Sequence, residues 1–195
     1  MYHTRLLQDR TFYATLAQFD ADLAVEAHTQ RCPCGGRLHR ADYPRKPRGG
    51  PADLGPAYDW RHSFCCDREG CRRRATPASL RFLGRRVYLG VVVVLVSIMA
   101  HGLTGARLTQ LRATLGGSLS VRTLRRWRTW WREAFPASRF WQQARGRFAP
   151  PVDQKRLPAT LLERFRDPTL ADRVRRLLAF LGPLTVPGAA SVRAG

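Results

Sequence analysis

Five cysteines lie in two short stretches of the sequence, about thirty residues apart. The first stretch reads Cys-Pro-Cys-Gly-Gly over residues 32–36, and the second reads Phe-Cys-Cys-Asp-Arg-Glu-Gly-Cys over residues 64–71. Four thiolates can surround Zn²⁺ tetrahedrally, and glycine lets the backbone turn tightly around the metal. We therefore expect one structural zinc ion, bound by Cys32, Cys34, Cys66 and Cys71.

The spacing of these ligands leaves alternatives open. The first pair is C-x-C, whereas structural zinc sites usually have at least two residues between paired thiols, and Cys65 is the alternate to Cys66. We favour Cys66 because Cys65 belongs to the strand before the turn and adjacent cysteines seldom bind one metal. His39 and His62 are alternative ligands, although each is expected to face solvent from a strand. Five free or buried thiols without metal are the remaining interpretation.

A site of this kind needs short strands on either side of each turn, as in a zinc ribbon. We expect strands at residues 37–43 and 59–64. The loop at residues 43–51 contains three prolines, so it cannot be a helix or a central strand. The cations of this loop belong either to a solvated loop or to an arm that contacts DNA; they are Arg45, Lys46 and Arg48. Three arginines directly after the last cysteine are expected to contact phosphates; they are Arg72, Arg73 and Arg74.

An arginine-rich stretch at residues 118–135 has the pattern of an amphipathic helix. Ser120 is the expected N-cap, and Leu119 can pack on Leu124 as a hydrophobic staple. Leu124, Trp127, Trp131 and Phe135 recur at helical spacing and are expected to face inward, while Trp130 stays free for a backbone or partner contact. The expected DNA contacts of this helix are Arg122, Thr123, Arg125, Arg126, Arg128, Thr129 and Arg132.

Two further helices are predicted before it, at residues 86–99 and 104–115, with a strand at Val91–Val94 as the competing interpretation of the first. Gly116 and Gly117 separate the second of these helices from the arginine-rich one. Two helices joined by a glycine turn, the second rich in arginine, are typical of a helix-turn-helix whose second helix enters the major groove.

Helices are also predicted at both ends of the chain. Residues 11–27 have an apolar face of Phe12, Leu16, Phe19 and Leu23, and we expect this helix to cover an edge of the next domain. Its exposed side is expected to carry Asp20, Asp22 and Glu26. Toward the C-terminus, helices are predicted around residues 140–148, 157–165 and 169–181, which either complete the core or form a dimer surface. Residues 183–195 are expected to be disordered.

The composition points to a polyanionic partner. Lysine and arginine number 34 against 14 acids, which gives a net charge of +20 and favours nucleic acid over a membrane surface. The most apolar run, residues 87–100, is shorter than the ~20 residues that span a bilayer. The N-terminal residues lack the apolar segment of a signal peptide. We expect a cytoplasmic protein that binds no membrane and no small-molecule substrate.

The cysteine turns, the basic loop and the helix S-x-R-T-L-R-R-W-R-x-W-W resemble the zinc-ribbon plus helix-turn-helix proteins associated with bacterial insertion sequences. The resemblance covers about residues 30–135. It implies a role in recognising the terminal repeats of a mobile element, with Cys32, Cys34, Cys66 and Cys71 at the metal positions of the ribbon. It also implies that residues 122–132 form the recognition helix.

The predicted fold is α+β and mainly α, with a small zinc-ribbon β module followed by a helix-turn-helix bundle and C-terminal helices. The predicted divisions are residues 1–29, 30–78, 79–136, 137–182 and 183–195. The predicted function is sequence-specific binding of double-stranded DNA, as an accessory or regulatory factor that works with a transposase or a second copy of itself. The alternatives are a catalytic transposase or nuclease subunit, and an RNA-binding zinc ribbon. Catalysis is disfavoured because two-metal strand transfer needs clustered carboxylates, and the acids here are scattered.

Overall fold

The computed structural model describes residues 5–45, 51, 54–82, 109 and 121–186. Helix α1 spans Arg10–Thr29. Its N-cap is Asp9, whose carboxylate accepts a hydrogen bond from the backbone N–H of Thr11 at 2.9 Å. Such a cap satisfies a backbone donor that has no partner inside the helix. The N-terminal helix predicted at residues 11–27 is therefore confirmed and is slightly longer than expected.

Two small antiparallel sheets follow. The three-stranded sheet has the order β1-β4-β5, and the second sheet pairs β2 with β3. Both regions predicted as strands contain strands, but each is divided in two: Ala41 and Asp42 lie between β1 and β2, and Asp59 ends a 3-10 turn before β3. A fifth strand after the second cysteine turn was not predicted. The strands are β1 Leu38–Arg40, β2 Tyr43–Pro44, β3 Trp60–Arg61, β4 Phe64–Cys66 and β5 Arg74–Ala75.

The second half of the described chain is helical, so the architecture is mixed α and β. Helix α2, Val121–Thr129, continues through one π-helical turn, Trp130–Ala134, into α3, Phe135–Ala137. The helices after it confirm the three predicted near the C-terminus. They are α4 Arg139–Ala144, α5 Ala159–Leu162 and α6 Leu170–Leu181, with 3-10 turns at Arg145–Arg147, Gln154–Arg156 and Gly182–Thr185.

Several predicted features fall outside the described residues. They include the helices at 86–99 and 104–115, the glycine turn, the Ser120 cap and the side chain of Leu124. Residues 183–185, expected in a disordered tail, instead belong to the last 3-10 turn, and Leu184 is buried. Among the described residues, no helix is long and apolar enough to cross a membrane.

One large hydrophobic cluster joins the two ends of the chain. It combines α1, residues 80 and 82, the continuation of α2 and the C-terminal helices. Val174, Leu177, Leu178 and Leu181 of α6 are fully buried in it, so the C-terminal helices complete the core. The largest of its fully buried side chains include Trp131, Trp141, Tyr13, Phe82 and Phe135.

A smaller cluster lies under the three-stranded sheet and also contains a residue of α1. Ala24 packs there with Leu38, Phe64 and two of the cysteines, and the ring of His28 stacks on Phe64 with centroids 5.1 Å apart. Helix α1 therefore contributes to both clusters. The C-terminal part of α1 thus packs against the three-stranded sheet, as expected, while its N-terminal part packs in the large cluster.

Asp20 of α1 is fully buried, so the expectation that it faces solvent is wrong. Its Oδ2 accepts a hydrogen bond from Nε of Arg81 at 2.8 Å, and its Oδ1 accepts the backbone N–H of Leu80 at 2.6 Å. A buried carboxylate is tolerated when a cation and hydrogen-bond donors surround it. Beside this pair, the backbone N–H of Ser79 donates to Oγ1 of Thr185 at 2.8 Å. The segment 79–82 is thus held by α1 and by the last turn of the described chain.

Candidate metal centre and basic surfaces

The sulfur atoms of Cys32, Cys34, Cys66 and Cys71 form one cluster. All four lie within 4.8 Å of one another, with Cys32 and Cys71 3.8 Å apart and Cys34 and Cys66 3.5 Å apart. These distances exceed the ~2.05 Å of a disulfide bond. The sequence prediction named the same four cysteines, and the structure brings them together from two turns separated by more than thirty residues.

The size of the cluster fits a tetrahedral metal ion. Four sulfurs at ~2.3 Å from a central ion would lie about 3.8 Å from one another. Two of the observed separations are within 0.3 Å of that value. The four cysteines could therefore hold a metal ion that prefers thiolate ligands.

The fifth cysteine points away from this cluster. In β4, Phe64 and Cys66 are buried whereas Cys65 between them is half-buried, as the alternation of side chains along a strand requires. The thiol of Cys65 donates to the carbonyl oxygen of Arg72. Both adjacent cysteines belong to the strand, so the boundary of the turn does not distinguish them. Cys66 joins the cluster because it lies on the buried face of the strand.

The first cysteine turn depends on two glycines that serve different purposes. Gly35 has a φ of +86°, in the left-handed region where a side chain is strained. At Gly36 a Cβ atom would lie only 2.6 Å from Sγ of Cys66. The absence of a side chain at Gly36 therefore lets the two cysteine turns approach each other.

Hydrogen bonds connect the two turns around the cysteines. The guanidinium of Arg68 donates to the carbonyl oxygen of Cys34 at 2.5 Å. Asp67 and Arg37 form a reciprocal pair: the backbone N–H of Arg37 donates to Oδ1 of Asp67 at 2.9 Å, and the backbone N–H of Asp67 donates to the carbonyl of Arg37 at 3.0 Å. Such contacts hold metal ligands in position.

The two histidines considered as alternative ligands have other roles. His39 is exposed, as expected, and its Nε2 lies 3.2 Å from Oδ2 of Asp67. His62 was expected to face solvent from a strand, but it follows β3 and its side chain is only 14% exposed. Its Nδ1 lies 3.2 Å from Oδ2 of Asp42. That expectation is wrong because Asp42 covers the imidazole.

The thiols of the cluster differ in acidity. The backbone N–H of Gly36, together with the thiol of Cys71, lowers the pKa of Cys34 to about 6. Burial raises the pKa of Cys66 to about 12. Four thiolates this close repel one another unless a cation lies between them. A bound metal ion would supply that charge, and its binding would release protons.

Comparison with known proteins gives no relative. No protein-family model, no curated protein and no solved structure matches this chain.

Helix α2 presents three of its four arginines to solvent. Trp127 is buried on the opposite side, and Trp131 and Phe135 continue that buried side through the π-helical turn. This confirms the inward positions predicted for these three aromatic residues. Of the predicted contact residues on this segment, the exposed ones are Arg122, Arg125, Arg126, Thr129 and Arg132, Arg128 is half-buried, and the side chain of Thr123 lies outside the described part.

Trp130 is not free, contrary to the expectation. Its ring lies 4.9 Å from that of Trp131 and 5.5 Å from that of Phe135 between centroids. The backbone N–H of Phe135 donates to the carbonyl of Trp130, which is the five-residue spacing of a π-helix. This wider turn brings residues five apart onto one side, so Trp130 packs against the core.

The arginines near the cysteine turns divide into two groups. Arg72 and Arg73 are exposed, with Arg72 in the left-handed region at a φ of 43°. Arg74 is also exposed, but its guanidinium donates to the carbonyl of Ala41 and lies 5.4 Å from the centre of the Tyr43 ring. Arg45 donates to the hydroxyl of Tyr43 at 2.8 Å. Arg74 and Arg45 therefore hold the β module together, while Lys46 and Arg48 lie outside the described residues.

Three further arginines beside the cysteine turns were not predicted as functional. Arg31, Arg37 and Arg68 line an open cleft together with Cys34, Gly35, Gly36 and Asp67. Their position in the sequence was a usable signal, because Arg31 directly precedes the first cysteine and Arg37 directly follows the glycines. Arg68 gave no such signal, since only the folded turns bring it next to Cys34.

Proposed function

We propose that the chain is a zinc-dependent protein that binds double-stranded DNA. The observation that carries this proposal is the segment of α2 and the π-helical turn, where arginines are exposed on a helix anchored by buried Trp127, Trp131 and Phe135. A helix held rigidly on one side and rich in arginine on the other suits insertion into a major groove. Arginine pairs with phosphates and with guanine edges.

The ion in the cysteine cluster is proposed to be Zn²⁺, with one ion per chain and a structural role. Four thiolate ligands in tetrahedral reach are the donor set of structural zinc sites. All four coordination positions would then be filled by protein, which leaves none for a substrate. Zinc would fix the turns that carry Arg72 and Arg73, so these arginines would contribute phosphate contacts.

The biological role is proposed from the resemblance to proteins of bacterial insertion sequences. An accessory or regulatory factor of this kind would bind the terminal repeats of an element in the bacterial nucleoid. Its expected protein partner is a transposase or a second copy of the chain. The net charge of +20 supports a nucleic-acid partner.

Salt dependence provides the first test. If six to ten phosphates are contacted, the affinity for duplex DNA should fall by about 10³ to 10⁵ between ~50 and ~200 mM salt. Changing both Arg125 and Arg126 to Gln should lower the slope of log K against log salt by about 2. The matched control is Lys155→Gln with Arg166→Gln, which removes the same charge from two exposed positions on the C-terminal part. A slope near zero for the unaltered protein would refute DNA binding.

Two further measurements separate the alternatives. Selection of bound sequences from random duplexes should enrich a defined site, and structured RNA should compete poorly at matched salt. Stronger binding to structured RNA than to duplex DNA would favour an RNA-binding ribbon instead. Mg²⁺- or Mn²⁺-dependent cleavage of duplex DNA, abolished by changing one carboxylate, would favour a nuclease.

A further inference from the structure

The cleft beside the cysteine turns has the composition of an anion site. Its volume is about 520 Å³, and it is lined by Arg31, Arg37 and Arg68 with residues 34–36 and Asp67. All three arginines are exposed. The side chains of Arg31 and Arg37 make no hydrogen bond or ion pair with any other described residue, so their guanidinium donors are available to a ligand.

The single acid in the lining does not cancel these charges by direct pairing. Asp67 accepts the backbone N–H of Arg37 through one carboxylate oxygen and faces Nε2 of His39 through the other, at 3.2 Å. Among the described residues, neither oxygen forms an ion pair with Arg31, Arg37 or Arg68. Arg68 uses one guanidinium nitrogen on the carbonyl of Cys34, which fixes that side chain at the edge of the cleft.

The charge of the metal centre must also be counted, because Zn²⁺ with four thiolates carries −2. Residues 31–45 and 64–75, which form both turns and the three-stranded sheet, contain eight arginines and three acids and so carry +5. The metal centre would reduce this to +3. The region stays attractive to an anion after the metal has bound.

The shape and lining of the cleft indicate which anion it would take. Its volume lies within the ~300–1,000 Å³ of small-ligand pockets and is larger than one phosphate group. None of its seven lining residues is aromatic, and the side chains that offer hydrogen-bond donors are the three arginines. Guanidinium groups match the oxygens of a phosphodiester.

We infer that this cleft binds one phosphodiester of a nucleic-acid backbone through Arg31 and Arg37, with Arg68 at its edge. The inference rests on the proposed DNA-binding function and adds a contact outside α2. The metal turns then do more than support the sheet, because the backbone turn that binds the metal also positions the arginines that hold the phosphate.

The test compares the double variant Arg31→Gln, Arg37→Gln with the control Lys155→Gln, Arg166→Gln in zinc-loaded protein. Neither pair includes a proposed ligand, so the zinc content should be unchanged in both. The cleft variant should lower the salt slope for duplex binding by about 0.9, the value for one phosphate. The control, whose cations lie away from the cleft in sequence, should lower it by less. Equal losses in the two variants would overturn the inference and leave DNA binding standing.

Titration with inorganic phosphate provides a second test that does not depend on DNA binding. Titrated into the zinc-loaded protein, it should shift the NMR signals of the Arg31 and Arg37 Nε–H groups and of the Gly35 and Gly36 amides in a saturable way. The double variant should abolish the amide shifts. Absence of saturable shifts in the unaltered protein would overturn the phosphate site. Saturable shifts without salt-dependent duplex binding would support the phosphate site while refuting the proposed function.

Discussion

Asp20 and Arg81 form a buried ion pair, with Oδ2 of the carboxylate 2.8 Å from Nε of the guanidinium. Arg81 also donates to the carbonyls of Tyr58 and Trp60, at 2.6 and 3.1 Å. The pair therefore ties three pieces of chain together: helix α1, the segment after the β module, and the start of β3. Each charge is acceptable in the interior only because the other is present.

Replacing Asp20 by Ala should destabilise the protein by about 3–5 kcal/mol, because Arg81 would remain buried without its counter-charge. Urea unfolding followed by circular dichroism measures this difference. Asp22→Ala on the same helix is the control, since Asp22 is exposed and its loss should change the unfolding free energy by less than about 0.5 kcal/mol. Similar losses of unfolding free energy in the two variants would show that the buried ion pair does not contribute more to stability than an exposed aspartate.

Gly36→Ala should weaken metal binding by about tenfold or more, because the new Cβ would meet Sγ of Cys66 at 2.6 Å. Competition with a chromogenic chelator measures the affinity. Gly35→Ala is the matched comparison. The added Cβ would meet no atom within 4 Å, but the φ of +86° would cost alanine about 1–2 kcal/mol in backbone strain. We expect Gly35→Ala to lower stability with a smaller loss of metal affinity. The reverse order would contradict the assignment of Cys66 as a ligand.

Cys71→Ser should lose the proposed zinc ion, because a serine hydroxyl stays protonated and is a poor substitute for a thiolate ligand. Zinc content per chain, measured by mass spectrometry of metals after dialysis, gives the result. Cys65→Ser should keep one zinc per chain, since Cys65 lies on the other face of β4. Unchanged metal content in Cys71→Ser would refute the ligand set.

Acid should remove part of the stability that Asp42 provides. Partial burial raises the pKa of Asp42, but the backbone N–H of Ser63 and the side chains of Arg40 and His62 lower it more, so the net pKa lies below the usual value. A depressed pKa in the folded state stabilises the protein above the unfolded pKa of ~3.9, and this is lost as pH falls through the folded pKa.

Asp42→Asn should therefore be less stable than the unaltered protein at neutral pH, and the difference should shrink below about pH 4. Denaturant unfolding at a series of pH values measures it. Release of the proposed metal ion in acid would affect both proteins, so only their difference reports on Asp42. A difference independent of pH would contradict the assigned role.

The sequence was sufficient to predict the elements whose signal is local. The cysteine set followed from residue type and spacing, and the inward positions of Trp127, Trp131 and Phe135 followed from helical periodicity. Cys66 was correctly preferred to Cys65, but the stated reason, that only Cys65 belongs to the strand, does not hold because both lie in β4. The deciding fact is the alternation along β4, and its register against β1 and β5 could not be read from spacing.

The expectations that were wrong depend on partners far away in sequence. The predicted apolar face of α1 did not include Asp20, and a carboxylate was expected to face solvent. Its burial is explained by the ion pair with Arg81, 61 residues later in the sequence. Its row along α1 contains Phe12, Leu16 and Ala24, which are buried with it. Trp130 was misjudged because an ideal α-helix was assumed, whereas the π-helical turn changes which residues share a side.

The hydrogen bond between Ser79 and Thr185 bears on the order in which a nascent chain can fold. All four clustered cysteines have been synthesised once Cys71 has left the ribosome, so the proposed metal site can form early. Thr185 is synthesised 106 residues after Ser79, which takes roughly 5–20 s at bacterial and eukaryotic elongation rates. Until then the large hydrophobic cluster that contains Leu80 and Phe82 lacks the buried leucines of α6. During those seconds the apolar side chains of the N-terminal half of the cluster remain without their C-terminal partners.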